Sequence, residues 1–238
     1  MSRIDNRASN QLRPVKFTPT FTRYAEGNVL IEAGQTRVLC NASVDEGVPA
    51  WREVSGGGWL TAEYALLPRA THRRITRQRG TDSARSQEIS RLIGRALRAA
   101  VDLDRLGPRT ITVDCDVIQA DGGTRTASIT GGYVAVALAL HKLIEAGLVP
   151  SEVMVTPVAA VSSGVVANQL LLDLCYEEDS AAEVDLNVVM TGTGKFVEIQ
   201  GTAEGAPIDR ATLIGLIDLA HDGIEQLLVE QAALLGKI

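Results

Sequence analysis

The stretch DCDVIQADGGTRTASITG, residues 114–131, decides the fold and much of the chemistry of this chain. It continues an alternation of apolar and polar residues over 110–117, which predicts a β-strand, and it leads into an apolar run over 134–145 that predicts a helix. Gly122 and Gly123 lie between the two, where they permit a tight turn and a close approach of the backbone to a ligand. The sequence therefore predicts a strand, a glycine turn and a helix start in direct succession.

The residues that follow the glycines favour an anion. Thr124 and its neighbours bring hydroxyl and backbone N–H groups to the start of a helix, where the helix dipole attracts negative charge. Arg125 adds a planar guanidinium that can bind two phosphate oxygens at once. We interpret Gly123, Thr124 and Arg125 as a phosphate cradle. The alternative is an ordinary strand-to-helix turn with a surface arginine, since such turns are common.

The composition is that of a globular protein with an uneven distribution of charge. The 238 residues are 45% apolar and 22% charged, and the net charge is −6. Residues 1–125 hold 18 arginines and one lysine against 14 acidic residues, a net of +5, whereas residues 126–238 have a net of −11. Arginine binds phosphate better than lysine does, so this asymmetry predicts a basic face that meets an anionic partner.

Other features of the sequence bear on membrane, compartment and class of site. No apolar stretch approaches the roughly 18 residues that span a bilayer, and the polar N-terminus has no secretory signal. Three cysteines without CxxC spacing predict buried thiols in a reducing compartment, so we expect the cytoplasm. Three scattered histidines give no basis for a zinc site or a serine triad, and His141 lies in an apolar run that predicts a packing role.

The pattern along the chain predicts an α+β fold without a linker. The hairpins over 28–43 and 186–200 are alike, which suggests one domain, residues 1–238, with two pseudo-repeated halves; the alternative is that hairpins resemble one another by chance. The other expected elements are strands at 59–64, 110–117, 153–163 and 169–176, and helices at 86–102, 134–145, 210–221 and 223–235.

An acidic cluster follows the strand predicted at 169–176. Residues 177–185, EEDSAAEVD, hold five carboxylates in nine positions. Such a cluster repels itself unless water or a cation neutralises it, and carboxylate oxygens beside substrate phosphates are ligands that Mg²⁺ prefers. The alternative is a solvated acidic turn.

A basic loop precedes the first predicted helix. Residues 69–79, RATHRRITRQR, contain five arginines and no acid. This pattern predicts sequence-independent contact with a nucleic-acid backbone; the alternative is a loop that is merely soluble. The candidate RNA-binding residues are Arg69, Arg73, Arg74, Arg77 and Arg79.

Several long motifs of the chain, in order, resemble the ribonuclease PH family. The resemblance runs from about Asn10 to about Gln231. Its motifs are AEYALLPRATHRR (62–74), GRALRAAVDL (94–103), QADGGTRTASITG (119–131), YEEDSAAEVDLNVVMT (176–191) and EIQGTAEG (198–205). The family consists of phosphate-dependent exoribonucleases that trim the 3′ ends of transfer RNA precursors.

The resemblance implies a fold and a set of site residues. The fold is α+β, with duplicated halves and mixed sheets packed on helices, like that of ribosomal protein S5 domain 2. Asp179 and Asp185 match the catalytic aspartates, and they are also the expected ligands of Mg²⁺ or Mn²⁺. Arg85 matches a second phosphate-binding arginine beside Arg125, although Ala84 stands where the family motif has glycine, which puts the local backbone geometry in doubt.

The resemblance also implies a reaction and an assembly. Inorganic phosphate is the co-substrate, and it attacks the last phosphodiester of an RNA 3′ end to release a nucleoside 5′-diphosphate, reversibly. The expected RNAs are transfer RNA precursors and others such as ribosomal RNA. A homo-hexameric ring built from dimers is expected, with residues 10–14 and the basic loop as candidate contacts between subunits or with RNA.

Two other functions are compatible with parts of the sequence. The chain would be a non-catalytic ring subunit if it bound RNA without cutting it, but such relatives lose the arginines or aspartates that are kept here. It would be a phosphate-binding enzyme with a small-molecule substrate if it failed to bind RNA, an outcome that the basic loop argues against.

Overall fold

The structure, a computed structural model, describes residues 3–54, 56–77 and 83–237. The first of its two sheets has the strand order β1-β2-β3-β5-β4. Its neighbours are antiparallel except β4 and β5, which run parallel, so this sheet is mixed. The predicted hairpin over 28–43 is confirmed as the pair β2 and β3. The strands are β1 (Val15–Pro19), β2 (Gly27–Ala33), β3 (Thr36–Glu46), β4 (Trp59–Leu66) and β5 (Arg109–Gln119).

Four helices accompany this sheet: α1 (Ala50–Glu53), α2 (Ala84–Arg98), α3 (Leu103–Leu106) and α4 (Thr124–Glu145). The helix predicted over 86–102 ends early, at Arg98. The backbone leaves the helix because Val101 pairs with Met154 in an isolated bridge, and Asp102 then caps α3 through Asp104 and Arg105.

The second sheet is antiparallel, in the order β7-β6-β8-β9. Its strands are β6 (Val158–Val166), β7 (Gln169–Leu172), β8 (Val184–Thr191) and β9 (Phe196–Ala203), and its helices are α5 (Tyr176–Ser180) and α6 (Arg210–Leu235). The strand predicted from 153 starts later because a 3-10 turn (Ser151–Val153) precedes it, and the strand predicted to 176 stops at Leu172. The two C-terminal helices predicted around Gly223 are one helix. A Cβ there would lie 2.8 Å from the side chain of Leu172, so the glycine permits close packing rather than a break.

Helix α4 lies at the centre of the molecule. It packs against β2 and β3 of the first sheet and β6 of the second, while α2 packs on β4 and α6 on β6 and β7. By length and composition α4 is apolar enough to cross a membrane, contrary to the expectation that no apolar stretch approaches that length. Most of α4 is buried inside the protein, which is typical of a core helix. His141, expected to pack, is instead 43% exposed and pairs with Glu145.

The arrangement confirms an α+β fold with sheets packed on helices. The three cysteines are buried and free, as predicted. Duplication of one ancestral half stays a prediction, since the two sheets differ in strand number and direction.

Candidate active site

The glycine turn leads directly into the start of α4. Gly122 and Gly123 have φ angles of +74° and +63°, in the left-handed region that favours glycine. A Cβ on Gly122 would lie 2.5 Å from the carbonyl oxygen of Leu174, so the turn is pressed against the chain before α5. Gly123 caps α4, and no described side chain bonds the first N–H groups of the helix. These N–H groups are therefore available to an anion.

Helix α4 begins at Thr124, well before the predicted start near residue 134. Its first turns are rich in threonine, serine and glycine, which have weak helix propensity. The hydroxyls of Thr126 and Ser128 donate to the carbonyls of Gly123 and Thr124, so these hydroxyls have partners within the chain. Arg125 is consequently a first-turn helical residue, with its side chain directed by the helix.

The side chain of Arg125 is held between two other elements. It is only 18% exposed, and its Nη1 donates to Glu88 of α2 at 3.3 Å and to the side-chain oxygen of Gln200 on β9. Gln200 in turn donates to the same Glu88 oxygen at 3.0 Å. Beside it, the Thr124 hydroxyl lies 2.8 Å from the hydroxyl of Tyr64 on β4. Both cradle residues are therefore fixed by partners from distant parts of the sequence.

Arg85 stands at the start of α2 and faces the same site. It is exposed. Burial raises the pKa of Tyr64, and the positive charges of Arg85 and Arg125 oppose that increase. The doubt raised by Ala84 is removed, since Ser83 caps α2 and Ala84 is an ordinary first helical residue that needs no glycine.

Asp179 and Asp185 lie close to the arginines and to each other. Burial raises the pKa of Asp179, against the charges of Arg85, Arg125 and Arg13. Burial and the charge of Asp179 raise the pKa of Asp185 to about 6, while Arg125 opposes the increase. The charge of Arg125 therefore acts on both carboxylates, that of Arg85 acts on Asp179, and that of Asp179 acts on Asp185, which places these residues of α2, α4, α5 and β8 near one another.

The two carboxylates fit a divalent cation by their chemistry. Carboxylate oxygens are ligands that Mg²⁺ and Mn²⁺ accept. A cation would offset the partial burial that raises both pKa values and the repulsion by Asp179 that further raises the pKa of Asp185. Asn187 donates to Asp185 at 3.2 Å and holds its orientation.

Comparison with known proteins identifies the family. Residues 11–141 match domain 1, and residues 156–223 match domain 2, of the RNase PH family, described as the 3′ exoribonuclease family. The chain belongs to this family. It is 55% identical to ribonuclease PH of Bacillus subtilis over 237 residues, which cover 98% of this chain and 97% of that protein. It is 54% identical to ribonuclease PH of Bacillus velezensis over 238 residues, with 99% and 97% covered.

Solved structures agree with the fold expected of the 3′ exoribonuclease family. The exosome of Archaeoglobus fulgidus, with RNA bound to its active site, superposes with a TM-score of 0.81 at 24% identity and covers 96% of this chain and 92% of the other. An archaeal exosome core gives a TM-score of 0.77 at 23% identity, with 97% and 91% covered. At these identities the likeness shows the two-domain fold alone.

In this member of the 3′ exoribonuclease family the basic loop lies beside α5. Arg73, Arg74 and Arg77 are exposed and make no ion pair within the described residues, and Arg79 lies outside those residues. Arg69 is exposed too, and it donates to the carbonyls of Thr71 and His72 within the loop.

A groove of about 420 Å³ separates the basic loop from α5. The rings of His72 and Tyr176, both exposed, lie 6.0 Å apart at its wall, and Arg69 also lines it. Aromatic rings beside arginines are typical of surfaces that contact nucleotides.

Sequence reasoning missed the residues that hold the site together. Tyr64 and Gln200 lie inside the quoted family motifs, but nothing in those motifs indicates that the two side chains contact Thr124 and Arg125. Glu88 follows Arg85 by three positions, and only the structure shows that it contacts Arg125.

Proposed function

We propose that this chain shortens RNA from the 3′ end by phosphorolysis, at a site formed by Arg85, Arg125, Asp179 and Asp185. Membership of the ribonuclease PH family makes it a phosphate-dependent transfer RNA nucleotidyltransferase, a phosphorolytic 3′ exoribonuclease of transfer RNA processing. The observation that carries the assignment of residues is the convergence of two arginines and two electrostatically coupled aspartates at the free N-terminus of α4.

The arginines and the helix start bind the attacking phosphate. Arg125 uses one Nη in the bonds to Glu88 and Gln200, which leaves its other N–H groups for an anion. The N–H groups at Gly123 and Thr124 and the exposed guanidinium of Arg85 complete the binding of inorganic phosphate. Because these donors are fixed before substrate arrives, phosphate meets little reorganisation.

The reaction balances without a protein base. An oxygen of hydrogen phosphate attacks the last phosphorus of the RNA, and the bond from that phosphorus to O3′ of the preceding nucleotide breaks. The proton of hydrogen phosphate goes to that O3′, and the products are a nucleoside 5′-diphosphate and RNA one nucleotide shorter. Because an anhydride replaces a diester, the reverse addition of nucleotides also proceeds.

Asp179 and Asp185 are the residues that would hold Mg²⁺, or Mn²⁺ in its place. The ion supplies positive charge that stabilises the phosphoryl group in transfer. The negative charge of the two aspartates disfavours phosphate beside their own side chains, so incoming phosphate is directed to the arginines and the start of α4.

The basic loop supplies the RNA path. The exposed side chains of Arg69, Arg73, Arg74 and Arg77 match the spaced charges of an RNA backbone, and we assign Arg79 to the same role from its place in the sequence. Substrates of this kind, transfer RNA precursors and other RNAs such as ribosomal RNA, differ in sequence near the 3′ end, which suits contacts to phosphates rather than bases.

We also propose a homo-hexameric ring, a trimer of dimers, in the cytoplasm. The family resemblance supports the ring, the archaeal neighbours are exosome assemblies, and buried free cysteines suit a reducing compartment. Light scattering after gel filtration tests the ring, since six subunits of 25.3 kDa differ clearly in mass from a dimer.

Product identity tests the activity. A short 3′-labelled RNA is incubated with Mg²⁺ in the presence and absence of inorganic phosphate, and the released nucleotides are separated by chromatography. We expect nucleoside diphosphates only with phosphate. Monophosphates without phosphate would make the chain a hydrolase, and RNA binding without release would favour a non-catalytic subunit. Failure to bind RNA would favour a small-molecule enzyme.

A further inference from the structure

The segment from Arg3 to Pro14 buries three arginines that the proposed reaction does not use. Arg3, Arg7 and Arg13 are 6%, 8% and 4% exposed, and they face Asp173 and Glu178, which are 5% and 4% exposed. Burial of charged groups is costly unless they are paired and fully hydrogen-bonded. Such a network is retained where it fixes one arrangement of the chain, and here both acids lie next to residues of the active site.

Arg3 holds the short helix that carries Asp179. Its Nε and Nη2 donate to the two carboxylate oxygens of Glu178 at 2.8 and 2.6 Å, a bidentate pair. The same carboxylate accepts the N–H of Cys175 at 3.1 Å and closes the first turn of α5. A helix of five residues is not stable by itself. Arg7 lies further from this carboxylate, with 3.6 Å between its Nη2 and Glu178 Oε2. The position of α5, and of Asp179 directly after Glu178, therefore depends chiefly on Arg3.

Arg13 holds the glycine turn. Its Nε and Nη2 donate to the two oxygens of Asp173 at 3.0 and 2.6 Å, and its Nη1 donates to the carbonyl of Asp121 at 2.6 Å. A Cβ on Gly123 would lie 2.8 Å from Nη2 of Arg13, so the guanidinium lies directly against the cradle. Asp173 has a φ of +54°, a strained value for a non-glycine residue that the bonds from Arg13 maintain.

We infer that residues 3–14 position both halves of the active site, with Arg3 acting on Asp179 through Glu178 and Arg13 acting on Gly122 and Gly123 through Asp121 and Asp173. Both arginines are positioning residues, since neither is placed on a reacting atom. The inference rests on the proposed function, because it assigns Asp179 to the metal and the glycine turn to phosphate. It also replaces the expectation that residues 10–14 serve contacts with RNA or other subunits, at least for Arg13, which is buried within its own chain.

The two ends of the segment have different expected effects. Arg3→Lys keeps the buried charge but loses the bidentate pair, so we expect Mn²⁺ to bind about tenfold more weakly, with the KM for phosphate unchanged within about twofold. Arg13→Lys loses the bond to Asp121, so we expect the KM for phosphate to rise about tenfold, with Mn²⁺ binding unchanged within about twofold. A network with only a general structural role would change both quantities together in each variant.

The experiment measures binding of Mn²⁺ alone by electron paramagnetic resonance, and the KM for phosphate and kcat by release of labelled nucleotide. Arg23→Lys is the matched control, since Arg23 is exposed and makes no ion pair with the described residues of the network. If a lysine variant does not fold, Glu178→Gln replaces Arg3→Lys and Asp173→Asn replaces Arg13→Lys. Weaker Mn²⁺ binding in the Arg3 variant alone, together with a higher KM for phosphate in the Arg13 variant alone, supports the inference. Equal changes in both quantities, or none, overturn it.

The design separates this inference from the proposed function. If the unaltered protein releases no nucleoside diphosphate, the proposed function fails. If it does so and the variants do not show the two patterns, only the positioning role fails.

Discussion

The substitution Asp185→Asn is expected to stabilise the metal-free protein while it removes activity. Burial and the charge of Asp179 raise the pKa of Asp185 from 3.8 to about 6. The folded protein therefore binds a proton at Asp185 more tightly than the unfolded chain does. Ionisation of Asp185 therefore destabilises the folded protein. This loss of stability is absent below pH 3.8, grows as the pH rises towards 6, and is fully present above that value. Asparagine cannot ionise, so the variant lacks this loss of stability.

The size of the effect follows from the pKa. Each pKa unit corresponds to about 1.4 kcal/mol, so a change from 3.8 to about 6 corresponds to at most about 3 kcal/mol. Asp185 retains partial contact with solvent, which screens the charge, so we expect about 1 to 3 kcal/mol at pH 7.5. For a chain of this length that increase raises the melting temperature by about 2 to 10 °C.

Thermal unfolding followed by circular dichroism, with a chelator present, measures the difference. We expect Asp185→Asn to melt above the unaltered protein at pH 7.5 and to approach it at pH 4. Added Mg²⁺ should stabilise the unaltered protein only. Asp218→Asn, at an exposed aspartate of α6, is the control and should change little. A variant that melts below the unaltered protein at pH 7.5 without metal would refute the reasoning about the buried carboxylate.

Three further predictions concern the phosphate cradle and the RNA path. Arg125→Ala should lower kcat/KM for phosphate by about 100-fold or more, since a fixed donor to the reacting phosphate is lost. Arg91→Ala, at an exposed position of α2, is the control. Normal turnover of Arg125→Ala at saturating phosphate would refute the phosphate cradle. Replacement of residues 73, 74 and 77 by glutamine should weaken RNA binding. It should also reduce the magnitude of the negative slope of log affinity against log salt concentration by about 2. An unchanged slope would place the RNA elsewhere. Gly122→Ala should destabilise the fold by about 2 kcal/mol or more, because the φ of Gly122 is +74° and the new Cβ would lie 2.5 Å from the carbonyl oxygen of Leu174. An unchanged melting temperature would show that the backbone of the turn can shift to accept a side chain.

Local sequence patterns predicted a strand or helix well where a single pattern, such as alternation of apolar and polar residues, covers the whole element. The hairpins over 28–43 and 186–200 follow from alternation and glycine turns, and both are present. The start of α4 was missed because threonine, serine and glycine have weak propensity, and tertiary burial overrides it. The single helix α6 was missed because Gly223, a usual break, allows a close approach to Leu172.

The site was predictable in its contiguous motifs and not in its contacts. Arg125, Asp179 and Asp185 stand in family motifs that a sequence displays directly. The pairs that hold them join residues far apart, such as Arg3 with Glu178 and Arg125 with Gln200. No local pattern encodes such pairs, because they depend on how the two sheets pack around α4.

The central claim is that inorganic phosphate is the attacking group, held by Arg85 and Arg125. The most direct measurement supplies ³²P-labelled inorganic phosphate with unlabelled RNA and follows the label by chromatography. The account predicts that the label appears in the β-phosphate of released nucleoside diphosphates with the unaltered protein, and that Arg125→Ala slows its appearance by about 100-fold or more at the same phosphate concentration. Nucleotides released without the label would contradict the account.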